Sequence, residues 1–311
     1  MIKGQIDLIK GLNYMSPLML ISGLPETSPL KVDMSKSMTV VKSNSIIDAS
    51  YRLSLNEQRL ILMCIASIER GQNISEHDPF LVNAHDFAEK FDLPLTNAYR
   101  DLQTVADRLY ERSVTIYNPD PDNPDATHLR TRWISSVTYL PRKGELTIGF
   151  ARQMIPYISM LKGRFTRYSL DAITGMSSTY GMRFYELMKK WQTETGTTKN
   201  EKKISVDELK GTLDLQGKYK AIKDFKLKVV EPAIRDINDC SDLIASYTQE
   251  KTGRKVTHLI FTFKENEQLQ IPFSGSKGQR PKVTKAYIER HARAGESYGE
   301  ARERLNRENT H

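Results

Sequence analysis

Residues 217–238 read GKYKAIKDFKLKVVEPAIRDIN. Lys218, Lys220, Lys223, Lys226 and Lys228 crowd the first half, with Asp224 the one acid among them. Ile222, Phe225, Val229 and Val230 run through the same residues at helical spacing. On a wheel of about 100° per residue, Phe225, Val229, Ala233 and Ile237 gather around Ile222. Lys220, Asp224, Leu227 and Lys228 lie opposite, and Lys223 lies on the flank. Lys226 falls beside the apolar stripe, so either its stem snorkels or the ideal helical phase fails there. Pro232 removes a helical hydrogen bond at a cost of about 3 kcal/mol, so a kink or break is expected between Lys228 and Pro232. A lysine-rich helix is commonly just a solvated face. Its place in the chain decides whether this one is more.

Working outward, SVDELKGTLDL precedes the stretch, with Ser205 and Glu208 spaced as a capping box. A turn near 214–217 follows, so the lysine helix is the second of a helix–turn–helix. LIASYT and VTHLIFTF come after it as strands, joined by the basic loop QEKTGRK with Lys251, Arg254 and Lys255. SSTYGMRFYELMKKW comes before, with Tyr180, Phe184, Leu187, Met188 and Trp191 on one helical face.

The amino-terminal half has the same grammar. Ser54 and Glu57 are spaced as a capping box, and Ile61, Ile65 and Ile68 mark a core face. A short helix is expected over about 84–91, then a turn at Asp92–Leu95. A second helix follows, capped by Thr96, with the stripe Ala98, Leu102, Val105 and Leu109. Its other face presents Asn97, Arg100, Gln103, Thr104 and Arg108, less basic than the second half's helix. VTIYN, RWISSVTYL and ELTIGF read as strands, the last two joined by PRKG. NPDPDNPDATHLR (118–130) reads as an exposed acidic loop. Helix, helix–turn–helix, then hairpin is the order of a winged helix. The expected fold is therefore α+β, with two tandem winged-helix domains over 37–151 and 152–265. A poorly ordered extension (1–36) precedes them. The linker SGSKGQRPK (274–282) and a basic helix-prone tail make up most of 266–311.

A net charge of +8 and a pI near 9.2 suggest an acidic partner, nucleic acid or an anionic membrane surface. Cys64 and Cys240 have no metal-ligand spacing and fit a reducing cytosol. No apolar run reaches the roughly 20 residues of a membrane span. PLMLISGLP (17–25) is short, contains Pro17 and follows Asp7, which argues against a cleaved signal peptide. No cofactor, metal or catalytic constellation emerges. GTLDLQGKY spaces its glycines wrongly for a phosphate loop. The six histidines are scattered, unlike a nickase's paired ligands, and HARAGESY lacks a recombinase spacing.

VVKSNSIIDASYRLSLNEQRLILMCIASI resembles the opening of the iteron-binding plasmid replication initiators, the RepE-like family. FARQMIPYISMLKGRFTRYSLDAITGMSSTYGMRFYELMKKW is similar to their domain junction. KYKAIKDFKLKVVEPAIRDIN and GRKVTHLIFTFKE resemble their second helix–turn–helix and wing. The likeness is colinear over about 39–264. It implies that monomers bind repeated double-stranded origin sites, open the duplex and help load the host replicative helicase with the host initiator. It also implies dimers, joined through the first domain, that repress the initiator's own operator. Base reading would fall to Lys218, Tyr219, Lys220, Lys223, Asp224, Lys226 and Lys228 at the helix start. Where some relatives carry arginines after the Asp-Phe pair, this chain has Lys226, Leu227 and Lys228. Met34 and Met38 immediately precede the first family-like residues, so residues 1–33 are expected to be dispensable for DNA binding. The alternatives are a winged-helix transcriptional regulator without origin function and, from another class, a metal-dependent nickase. RNA binding finds no aromatic-rich sheet motif to support it.

Overall fold

The computed structural model describes residues 28–33, 38–120, 122–161, 163–196, 199–266 and 296–308. Linker 274–282 lies outside them. Two winged-helix units follow each other, built on one plan. Each begins with a long helix, Leu55–Ala66 or Thr179–Thr195. Next comes a strand, Phe80–Asn83 or Lys199–Ser205, then a short helix, Ala84–Lys90 or Val206–Thr212. The second helix of the helix–turn–helix follows, Ala98–Tyr110 or the run from Ile222 to Cys240, and then a wing hairpin: Ile134–Leu140 with Glu145–Phe150, or Leu243–Thr252 with Lys255–Glu265. In both units the early strand pairs antiparallel with the second wing strand.

Local chemistry explains the boundaries. Ser54 accepts from Glu57 N–H at 3.3 Å while the Glu57 carboxylate accepts from Ser54 N–H at 2.8 Å, closing a capping box. Ser205 accepts from Glu208 N–H at 3.0 Å. Asn83, not foreseen, caps Ala84–Lys90. The helix Ala98–Tyr110 starts one residue later than expected. Asn97 takes the cap position with φ 66°, and its side chain makes no cap bond. Asparagine tolerates that left-handed conformation far better than β-branched Thr96 would.

The early strands were not expected from sequence. Neither was Thr39–Ser43, which pairs antiparallel with Phe165–Ser169 at the junction of the units. The stretch 118–130 is not all loop: His128–Arg132 is a strand paired with Ser113–Tyr117. Leu30–Lys31 falls in the extension expected to lack order. It instead forms a parallel pair with Phe80–Leu81, with Val32 buried beside it. In the tail, Tyr298–Glu308 is a helix.

Buried side chains of both units form one continuous cluster. The helix Thr179–Thr195 lies at its centre, and its residues 181–188 are buried on every side, Arg183 and Glu186 included. Glu186 and Lys42, each about 1% exposed, pair at 2.7 Å. Tyr168 donates to Glu186 at 2.6 Å, and Arg183 approaches it at 3.6 Å. Arg183 also donates to Tyr51 and to the Ala49 and Thr212 carbonyls. Burial alone would raise the Glu186 pKa, but Lys42 and Arg183 together with the hydrogen bonds hold it below the usual carboxylate value. Polar ties reach across the junction as well: Gln58 to the Thr179 carbonyl, Arg59 to Thr174 and Met176, Lys190 to Asp48.

Candidate nucleic-acid interface

The approach to the second reading helix is a run of left-handed turns. Asp214, Gly217 and Tyr219 take φ of 52°, 73° and 50°. The helix therefore begins only at Ile222, with Ala221 at its cap. Lys218, Tyr219 and Lys220, expected at the helix start, precede it. Lys218 and Lys220 are exposed. Tyr219 is half-buried against Phe225, and its carbonyl accepts from Lys210 Nζ at 3.0 Å. Burial and a hydrogen bond to Tyr219 push the Tyr180 pKa up to about 12. Tyr219 is thus a fixed part of the turn.

Beyond Ala221 the phase is as the wheel predicts. Phe225, Val229, Ala233 and Ile237 are fully buried, whereas Lys223, Leu227 and Lys228 are exposed and Asp224 is half-buried. Pro232 does not break the helix, whose hydrogen-bonding pattern changes in the residues just before it. An α-turn over Ile222–Phe225 passes into a π-helical stretch, Lys226–Val230, and then into the α-helix Glu231–Cys240. Glu231 N–H donates to the Lys226 carbonyl, five residues back. The wider turn accommodates a residue that has no N–H and whose ring presses on the carbonyl four residues earlier. Lys226 does not snorkel along the core. The changed pitch carries its ammonium to the wing, where it donates to Gln249 Oε1 at 3.0 Å.

The second wing is longer than expected. Most of 249–255, read as a loop, is strand, and only Gly253 and Arg254 make the turn, with Gly253 at φ 62°. Lys251, Arg254 and Lys255 sit at the exposed tip beside a bulge at Glu250/Lys251. Glu250 accepts both a 2.7 Å and a 2.8 Å bond from Lys203, which lowers its pKa.

In the first unit, Arg100 is exposed and Gln103 half-buried on the helix Ala98–Tyr110. The first wing's tip carries two further exposed cations, Arg142 and Lys143, before Gly144 at φ 67°. PRKG signalled the turn, and its two basic residues are the signal that would have marked a second wing tip. A shared device was also missed. A tyrosine on the first wing strand donates to an acid on the reading helix in both units, Tyr139 to Asp107 and Tyr247 to Glu231.

Two helix–turn–helix units in tandem, each followed by a hairpin with cations at its tip, define a DNA-binding protein of the winged-helix class. Among the described residues no cluster of His, Cys, Asp and Glu offers a metal site, and no helix is long and apolar enough to cross a membrane. The family described as "Initiator Replication protein, WH1" matches residues 39–189, and "Initiator Rep protein, WH2" matches 205–263. The chain belongs to this family of plasmid replication initiators. It is 29% identical over 238 residues to a replication initiation protein of Escherichia coli, covering 75% of this chain and 72% of that one. It is 27% identical over 274 residues to the PI protein of Escherichia coli, covering 79% and 88%. Among solved structures, the Pi initiator protein in complex with iteron DNA superposes with a TM-score of 0.62 at 26% identity. That match covers 75% of this chain and 99% of the other.

Proposed function

We propose that this chain initiates plasmid replication by binding repeated double-stranded sites at its origin, with the second unit reading bases and the first adding contacts. In this reading monomers open the origin and help load the host helicase alongside the host initiator. Dimers joined through the first unit repress the operator. The observation that carries the reading is the tandem of winged helices with Lys218, Lys220, Lys223 and Lys228 exposed on one approach and helix. None of the four is in a described ion pair, and the neighbouring wing tip adds Lys251, Arg254 and Lys255. Similarity along 99% of an initiator solved on iteron DNA supports it. A bound monomer spans two successive major grooves, roughly 20 bp.

The test begins with a repeat selected by the wild-type chain from a randomised duplex pool, compared by fluorescence anisotropy with its scrambled version. Lys223→Ala and Lys228→Ala are expected to cost about 1–3 kcal/mol each on the selected repeat and little on the scrambled duplex. Equal losses on both would mean these lysines only hold phosphates, and base reading by this helix would be refuted.

A further inference from the structure

We infer that Leu227 is a specificity-determining residue that reads the 5-methyl group of a thymine in the major groove. The inference rests on the proposed reading of DNA by the second helix and assigns one of its contacts. At 54%, Leu227 is the most exposed large apolar side chain among the described residues. The other apolar residues of this helix face the core: Phe225, Val229, Val230, Ala233 and Ile237 are fully buried, and Ile222 and Ile234 are half-buried against them. Leu227 is therefore no edge of the core. It stands between exposed Lys223, one turn earlier, and exposed Lys228.

Its position is also structurally marked. Lys226–Val230 is the π-helical stretch, a wide turn of the kind often kept at functional sites. This turn lies in the helix half that enters a groove first. Lys226, which precedes Leu227, is turned aside to Gln249. The space ahead of this turn is thus faced by Leu227 between the exposed side chains of Lys223 and Lys228.

The chemistry then selects the target. An ammonium group bonds guanine acceptors or phosphate but has nothing to offer a methyl group. The thymine 5-methyl is the apolar group on the major-groove edge of the base pairs. Covering it with the half-exposed leucine removes apolar surface of both partners from water.

The experiment uses the full chain and the duplex carrying the selected repeat. Each thymine is replaced singly by deoxyuridine, which deletes the methyl group and leaves base pairing intact. One replacement within the half-site of the second unit is expected to weaken wild-type binding about fourfold, the value of one buried methyl group. The same replacement should leave Leu227→Ala binding unchanged, while Leu227→Met should retain the sensitivity. Circular dichroism melts of both variants establish that they are folded. Wild-type indifference to every deoxyuridine, or an equal penalty in Leu227→Ala, overturns the inference while leaving DNA reading intact. If the wild type does not separate selected from scrambled DNA, the underlying reading fails first.

Discussion

Lys42→Met puts the junction of the two units to a quantitative test. Lys42 lies on the strand Thr39–Ser43 and pairs at 2.7 Å with Glu186 on the central helix, both about 1% exposed. At an effective dielectric of about 20, two unit charges at that separation attract by about 6 kcal/mol. Arg183, at 3.6 Å, remains in the variant and retains part of the compensation. Breaking a buried pair from one side costs about 3–5 kcal/mol, and the residual arginine places this case near 3 kcal/mol. Adding Glu186→Gln removes the orphaned carboxylate but takes the ion-pair partner from buried Arg183, so it should recover only part of the loss.

The pH dependence gives an independent sign. Glu186 is depressed in the folded wild type. Its contribution is present above the unfolded carboxylate value and is lost as pH falls through the lower folded one. Without Lys42, burial is opposed more weakly, so the folded pKa rises. The destabilisation should therefore be largest at pH 7 and narrower at pH 5. Trp133 and Trp191, the chain's two tryptophans, report on separate units. Urea unfolding of single-tryptophan variants should show coincident transitions with Lys42 present and separated ones without it. A loss below about 1 kcal/mol at pH 7, with transitions still coincident, would refute the idea that this pair clamps the units.

Two further outcomes are expected. Gly181→Ala should destabilise the chain by about 1–3 kcal/mol in thermal or chemical unfolding, because overpacking forces neighbours aside. The added Cβ would meet Asp236 Oδ2 at 2.7 Å, on the carboxylate that accepts from Ser177 and Ser178 N–H. Ser54→Ala should cost about 1 kcal/mol, measured the same way, by opening the capping box.

What could be read from sequence was local. Ser54 and Glu57 lie three residues apart, and their bond needs no distant partner. The stripe Phe225, Val229, Ala233 and Ile237 declares its own face. Elements defined by a distant partner went unseen. The strand Lys199–Ser205 includes Lys202 and Lys203 and has the composition of a loop. It is a strand because Lys255–Glu265 pairs with it. His128–Arg132 is hidden in the same way by its polarity. Within the candidate interface, charge located the right segment, but backbone conformation reassigned its members. Positive φ at Tyr219 ends the approach before the helix starts, and the wide turn redirects Lys226. No ideal wheel contains either event.

The two reading helices differ in what they present more than in how they are held. Tyr139 binds Asp107 and Tyr247 binds Glu231, so in both units the wing fixes the helix through a phenol and a carboxylate. Burial and that acceptor raise both tyrosines, Tyr139 to about 12, so each phenol stays a donor through the physiological range. The brace orients the helix against its wing and leaves the carboxylate's negative charge in place. With the scaffold held constant, the difference between the units reduces to exposed side chains. Arg100, Gln103, Thr104 and Arg108 hydrogen-bond readily but carry only two charges along the helix. Lys218, Lys220, Lys223 and Lys228 concentrate four charges at the entering end, around one uncovered leucine. The first set suits contacts spread along a backbone. The second combines dense charge with an apolar probe, and under the proposed reading that combination would separate a thymine from a cytosine while the lysines hold the duplex.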